Sequence, residues 1–598
     1  MIIASIVIIL IALMLSIYKF IKSDEKIPYF VLIIAIFISS IPILYPYYIN
    51  ANDTKWYMLV LESMRLNILN RLQFPLRISY NILYGGQHHI FYPLKMFYIP
   101  ILIEIVSKAN EIVSFNIFLL FLSFLSCFIM YFVSLKFFNN KFVSIACSIF
   151  YVLNSYRLSN LYAKFAIGES IVFCFTPLLI YSIYQIFFNN SKRWWQFVIA
   201  ATLIYQHNML CTYLYFVLIV IFLIYYIINI RDLNRLLIFF KASILIFLLN
   251  AWLLFPQIYE MLYIDFINPT FYQGIDLFNF RHPTTLSSFF NLFPSYRIID
   301  TLGFFIVFSF ILSLLIIIIV ILYNFLFKNK INKNYLDIND KYFKIAFLFI
   351  VIGVISYILS FKIIPYEVFK DTFLYKPIYV LQFRTRFFHI TSPFMTMGIS
   401  YLFYKIIISI INMLNYKHFT KMVNYLYLLL IIIIASISSI SYINNVMNNA
   451  EFLQFVRPTV NMDYFLTNTL PEKQFNYDYN IIKSTEDIVI DNLKRNYYNF
   501  DLDYEVINYD NTKLYYIDMP LFDYPVYKVT DENGNTIEYE KGINNLLRIR
   551  IDNNKGKFSI RQIEPLFWLI GDFISLITII CIAIYLIYTK IYIKKLKK

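Results

Sequence analysis

Apolar residues run in long blocks along most of this chain, and the polar residues gather between the blocks instead of alternating through them. A helix needs about 20 such residues to cross roughly 30 Å of hydrocarbon. The blocks predict membrane helices near 2–19, 28–48, 113–134, 142–157, 169–187, 194–206, 209–229, 237–256, 302–326, 345–361, 387–410, 423–443 and 567–589. A shorter stretch, 94–107, carries Glu104 and is predicted to be re-entrant or interfacial. An unpaired acid at bilayer depth costs about 2.5–3.5 kcal/mol on insertion scales. The first block has no basic leader and no small-residue cleavage site, so it is expected to stay as a helix. The expected fold class is a polytopic α-helical membrane protein with about 13 transmembrane helices.

Two polar intervals break this pattern. The first, Ala51–Pro93, opens on Asp53, close to where a membrane helix ends. It continues through a weakly amphipathic helix, a Phe74-Pro75-Leu76-Arg77 turn, a Gly85-Gly86-Gln87-His88-His89 loop and a Tyr92-Pro93 return to apolar sequence. The second, 445–566, is acidic, with 19 Asp and Glu against 13 Lys and Arg. Its first part, 445–475, is predicted to be a helical linker. Its second half alternates as strands do, with turn signals at Asp531–Gly534 and Asn553–Gly556 that predict hairpins in a small β-sandwich. The expected organisation is a multispanning domain over 1–444, with a first exterior loop at 49–112. An extracytoplasmic β-sandwich-like domain follows at 445–566, and 567–598 forms the last helix and a basic tail.

Composition agrees with this class and charge orients it. The 598 residues are 60% hydrophobic and 20% aromatic, with a net charge of +15. Lys and Arg are about threefold denser in the loops after the odd-numbered spans, and in the C-terminal tail, than in the opposite loops. This predicts a multi-pass protein of the plasma membrane with its N-terminus outside, its C-terminus cytoplasmic, and Asp53 facing out. The basic loops match anionic lipid, and no nucleic-acid motif accompanies them. The five cysteines lie inside apolar runs without CxxC spacing, which argues against disulfides and a zinc knuckle. No Walker, GxGxxG or GxSxG motif is present, so nucleotide-driven transport and serine hydrolysis are not indicated.

Four motifs in order carry a resemblance. They are the run from Asp53 through PLRISYNILYGG to FYP; YRLSNLYAKFAIGES with Glu169; NAWLLFPQIYE with Trp252, Pro256 and Glu260; and LQFRTRF with Gln382, Arg384 and Arg386. Together they resemble the bacterial multispanning proteins labelled 6-pyruvoyl-tetrahydropterin synthase-related, and the similar YfhO-type family. The resemblance covers most of the membrane part, the β-domain and the last helix. It implies a GT-C-like glycosyltransferase that takes a sugar from a polyprenyl-phosphate donor at the outer membrane face. It implies no pterin chemistry. The chain departs from the pattern in reading QFRTRF where a form near QFPWRF is usual, and in placing Asn52 beside Asp53 in place of a second acid.

Such a transfer needs a base near the acceptor hydroxyl and cations for the leaving phosphate. Asp53 is the expected general base, against the plainer reading of a helix cap. Glu169, after a glycine at the start of a span, is expected as a second catalytic acid, or simply favours a helix N-terminus. Arg384 and Arg386 suit a phosphate because a guanidinium binds its oxygens in pairs, with Arg157 and Lys164 behind them; snorkelling to headgroups is the alternative. His207 sits where an apolar run breaks and is either functional or held in an interhelical hydrogen bond. His88, His89 and Gln382 complete the polar candidates. Adjacent histidines lack metal-ligand spacing, so no metal ligand is assigned; no cofactor is certain, and a divalent cation stays open. The expected partners are the polyprenyl-phosphate sugar, membrane lipids, and an envelope glycopolymer, glycolipid or protein acceptor, with no nucleic acid. The competing readings are a lipid-linked saccharide transporter or flippase and a non-catalytic envelope scaffold.

Overall fold

Asparagine and aspartate side chains set the start of many helices. Asn110, Asn140, Asn154, Asn208 and Asp340 each accept a backbone N–H from the turn that follows, meeting a donor the helix itself leaves unpaired. The computed structural model describes residues 27–70, 76–77, 88–263, 340–369, 380–413, 420–453, 483–485, 487–496 and 498–596, with isolated positions between. The predicted span 2–19, most of 302–326, the Gly85-Gly86-Gln87 loop, most of 257–301 and most of the linker 445–475 lie outside the described residues.

The described helices are α1 Ile27–Ser39, α2 Thr54–Asn70, α3 His88–Phe91, α4 Tyr98–Ser107, α5 Glu111–Phe138, α6 Lys141–Val152, α7 Ser155–Tyr162 and α8 Ile167–Phe188. They continue with α9 Trp195–Tyr205, α10 Met209–Asn229, α11 Leu233–Leu249, α12 Ala251–Tyr263, α13 Lys341–Leu359, α14 Phe388–Met413, α15 Thr420–Asn449 and α16 Leu566–Leu596. Among the described residues, six helices are long and apolar enough to cross a membrane, or seven if the pair α11 and α12 is one span bent by 74° at Asn250. Apolar side chains such as Ile221, Ile224, Leu576, Ile580 and Ile584 stay exposed along α10 and α16. That surface suits lipid, and the chain is a membrane protein by this measure.

The structure differs from the predicted spans in three short segments. The run 142–157 is two helices, α6 and α7, because Asn154 caps a new start. At 12 residues α6 reaches about 18 Å, well short of the hydrocarbon thickness. The run 194–206 forms the 11-residue α9. The run 28–48 ends its α-helix at Ser39 and tightens into a 3-10 turn, Ile41–Leu44, led by Pro42. Apolar content alone does not separate a buried helix from a spanning one.

The described residues form two compact units. The first draws on Met1–Lys55, Met96–Phe239 and Gln273–Arg457. Here α13 and α14 pack closely because each offers a glycine: a Cβ on Gly398 would lie 2.7 Å from the Ala346 carbonyl, and one on Gly353 would lie 2.6 Å from Met395 Cγ. Small residues let backbones approach where no water drives association. Gly398→Val should therefore lower the unfolding midpoint of the detergent-solubilised protein, with an overpacking cost of about 1–3 kcal/mol. An unchanged midpoint would contradict this packing. Asp340 closes the other end of the same pair, accepting from the Tyr342 N–H, Tyr401 hydroxyl (2.7 Å) and Lys405 ammonium (2.9 Å).

The second unit draws on Trp56–Lys95, Phe240–Tyr272 and Pro458–Lys598. In the first unit β1 Tyr48–Ile49 pairs antiparallel with β2 Phe452–Leu453, and the strands of the second unit form two antiparallel sheets. One has the order β3 Lys483–Ser484, β6 Tyr515–Phe522, β10 Leu546–Ile551, β9 Tyr539–Lys541. The other has the order β4 Ile488–Asn496, β5 Asn499–Val506, β11 Lys555–Gln562, β7 Tyr527–Thr530, β8 Thr536–Ile537. Phe500, Leu502, Ile517, Leu521, Val529, Ile549 and Ile560 supply the buried faces. Asp531–Gly534 is a true hairpin turn between β7 and β8, with Gly534 at φ 83°. The hairpin expected at Asn553–Gly556 is instead a crossover, because β10 and β11 belong to different sheets. The buried Asp518 takes both arms of Arg548, at 2.6 and 2.8 Å, and ties β6 to β10.

Arg77 ties three parts of this unit together. It donates to Glu564 (2.6 Å), Asp572 (2.6 Å) and the Trp252 carbonyl (3.3 Å), and lies over the Trp568 ring. Lys95 stands half-buried over Trp252, and desolvation together with the nearby Arg77 charge pulls its ammonium down to about 7, against the pull of Asp572. The folded state thus binds fewer protons than the unfolded chain between pH 7 and about 10.5, and stability rises with pH across that window. Lys95→Met should raise the unfolding midpoint at pH 7 and flatten its rise toward pH 9.5. A midpoint that falls, or a slope that survives, would overturn this account.

Candidate functional site

Three stretches distant in sequence meet in the first unit. The first is the turn before α2. Ala51 N–H donates to the Thr54 hydroxyl and that hydroxyl donates to the Ile49 carbonyl, which sets the turn. Asn52 and Asp53 then donate their N–H groups to the carbonyls of Ala163 and Lys164, at 3.3 and 2.9 Å. Asp53 is exposed and immediately precedes α2.

The second stretch runs from α7 into α8. Asn154 caps α7 by accepting from Tyr156 and Arg157. After α7 the chain turns through Phe165, at φ 60°, and the Ala166 N–H donates to Asn160 O at 2.7 Å. The turn brings Glu169 into the first turn of α8, where the helix dipole favours a carboxylate. Lys164 lies partly exposed, with its ammonium 5.3 Å from the centre of the Tyr156 ring.

The third stretch leads into α14. Gln382 adopts φ 58°, and a 3-10 turn, Arg384–Phe387, follows it. Arg384 donates to the carbonyls of Phe361 (2.5 Å) and Ile364 (3.2 Å), just past the end of α13, and lies over Tyr366. The guanidinium thus ties the turn after α13 to the turn before α14. Ser356 donates to Phe387 O, so the tight α13–α14 pair also holds this turn.

Glu169 is where the second and third stretches join. Its Oε1 accepts from Arg386 Nε at 3.1 Å. Its Oε2 faces the Tyr156 hydroxyl at 3.3 Å and His389 Nε2 at 3.4 Å. Arg386 also donates to Leu381 O (2.5 Å) and Gln382 Oε1 (3.1 Å). The Glu169 and Arg386 side chains are each 7% exposed, so the pair is buried, hydrogen-bonded and matched in charge.

The other predicted residues fall elsewhere. Arg157 is wholly buried and donates to Val152 O and Ser123 Oγ inside the helix bundle, so it does not present a guanidinium to a phosphate. His207 is buried between two backbone groups, accepting from Met96 N–H (3.0 Å) at Nε2 and bonding Leu203 O (2.6 Å) at Nδ1. His207 thus joins the end of α9 to the Lys95–Phe97 turn. In the second unit, His89 is buried 3.3 Å from Ser63 Oγ. His88 opens α3, and its side chain lies outside the described residues.

Among the described residues, one group of three could hold a metal ion: Glu169, Cys211 and His389, whose ligand atoms lie within 4.8 Å of one another. No protein-family model matches the chain, and no curated protein matches it. Sequence reasoning gave no role to His389, Tyr156 or Cys211. Each sits within the first three residues of a helix on the same predicted face, and that shared position was the available signal.

Proposed function

We propose that this protein is a GT-C-like membrane glycosyltransferase that moves a sugar from a polyprenyl-phosphate donor to an envelope acceptor outside the cytoplasm. The reading takes about thirteen helices, an exterior N-terminus and a cytoplasmic C-terminus, with the β-domain positioning the acceptor. One observation carries it. The Asn52–Asp53 turn hydrogen-bonds to Ala163–Lys164, five residues before Glu169, and Glu169 pairs with Arg386, so motifs far apart in sequence share one locality.

In this mechanism Asp53 accepts the proton of the acceptor hydroxyl as that oxygen attacks the anomeric carbon. The bond to the lipid phosphate breaks, and the phosphate leaves with the electron pair. Lys164, the partly exposed cation of the set, offsets the charge on the departing phosphate. Arg384 and Arg386 already bond protein oxygens, so they hold the Gln382–His389 turn and add positive potential behind the site. Glu169 fixes Arg386 and His389 from the opposite helix. A strain lacking this gene should lose an envelope glycan and regain it with the wild-type gene. An unchanged glycan profile in the deletion strain would refute the reading.

One observation favours a transporter of lipid-linked saccharide: the 74° break between α11 and α12, since interrupted helices line transporter sites. Transporters carry such breaks in both halves of a repeat, and the described residues hold a single one.

A further inference from the structure

Three helices begin around one point in the first unit. Glu169 is the third residue of α8, Cys211 the third of α10 and His389 the second of α14. Each helix directs its positive end there, which favours the ionised carboxylate and thiolate over their protonated forms. We infer that Glu169, Cys211 and His389 form a binding site for a single zinc ion.

The donor set is a carboxylate, a thiol and an imidazole. Mixed N, O and S donors of this kind select zinc over magnesium or calcium, which take oxygen. The spacing suits a shared metal ion as well as a long hydrogen bond. Glu169 Oε2 and His389 Nε2 are 3.4 Å apart, long for a charge-assisted hydrogen bond, which closes to about 2.7–2.9 Å. Two ligands each about 2.0–2.1 Å from a tetrahedral ion stand roughly 3.4 Å apart. All three ligand atoms lie within 4.8 Å of one another, so closing on zinc moves the sulfur by about 1 Å or less. The Tyr156 hydroxyl, 3.3 Å from Glu169 Oε2, offers an oxygen for a fourth position.

One other observation fits. Arg386 engages Oε1 and leaves Oε2 to the other groups, so it orients the carboxylate as an outer partner of a metal ligand does. Carboxylate and thiolate together offset the two charges of the ion, and the Arg386 guanidinium adds a positive charge beside them.

The test uses the full-length protein in detergent, incubated with zinc chloride, desalted and assayed by mass spectrometry of the metal. The wild type should retain about one zinc per chain, and Cys211→Ser and His389→Gln should each retain less than a fifth of that. Cobalt chloride gives a readout that needs no variant. Cobalt in this site should show the near-ultraviolet charge-transfer band of a thiolate ligand and the visible bands of a tetrahedral ion. Zinc retention equal in wild type and variants, or a cobalt spectrum without the thiolate band, would overturn the site. Sugar transfer plays no part in either readout, so the zinc site stands or falls apart from the proposed reaction.

Discussion

Asp53→Asn should abolish sugar transfer while the protein stays folded. Removing a positioned general base costs about 10²- to 10⁴-fold in rate. The side chain is exposed, and Asn keeps its size and the backbone N–H bonds of Asn52 and Asp53 to Ala163 and Lys164. The variant should therefore reach the membrane in normal amount and elute like the wild type in detergent. Envelope glycan in a strain carrying it should match that of the deletion strain. A scaffold reading predicts the opposite, since nothing in it depends on this carboxylate. A transporter reading predicts donor accumulating on the inner face, with transfer intact when donor is supplied outside.

Glu169→Ala should have the larger structural effect. The substitution strands Arg386 in a buried site, and breaking a buried pair from one side costs about 3–5 kcal/mol. Little folded protein should be recovered. Removing the orphaned charge as well, in Glu169→Ala with Arg386→Met, should restore much of the yield, because two apolar groups leave no buried ion unpaired. Fluorescence-detected size-exclusion chromatography of the single and double variants measures this. A single variant as stable as the wild type would mean that the pair does not hold α8 to the turn before α14. The geometry predicts strong coupling, since Arg386 meets Glu169 at 3.1 Å with both side chains out of water.

The class of this protein was plain in its apolar runs, and most helices lie where those runs fall. What the runs did not reveal was which helices are merely buried. Segment 142–157 is apolar enough to span, yet Asn154 restarts it as α7, and that short helix carries Tyr156 to Glu169. The β-region was legible in its second half. The earlier strands β4 and β5 were missed, although Phe500, Leu502, Tyr504 and Val506 alternate inward in β5. The Asn553–Gly556 turn was legible as a turn, but local sequence cannot say whether the next strand pairs with the last or crosses to another sheet.

The site divides in the same way. Glu169 and Arg386 were singled out from their positions at helix entrances and Gln382 from the LQFRTRF motif, and Arg386 touches both of the others. Arg157 and His207 looked the same in sequence and serve the interior instead. Whether a boundary cation faces a ligand or a neighbouring carbonyl depends on tertiary packing, which residue type does not carry. Arg77 shows the converse, since it was read only as part of a turn and proves to bridge Glu564, Asp572 and Trp252.

The most direct test of sugar transfer is chemical. Purified full-length protein would be given a radiolabelled polyprenyl-phosphate hexose in detergent together with envelope extract as acceptor. Label should pass from the lipid phase into polymer with wild type and not with Asp53→Asn, and free polyprenyl phosphate should appear in equal amount. Label that stays on the lipid with wild type, or that moves equally with Asp53→Asn, would contradict the account.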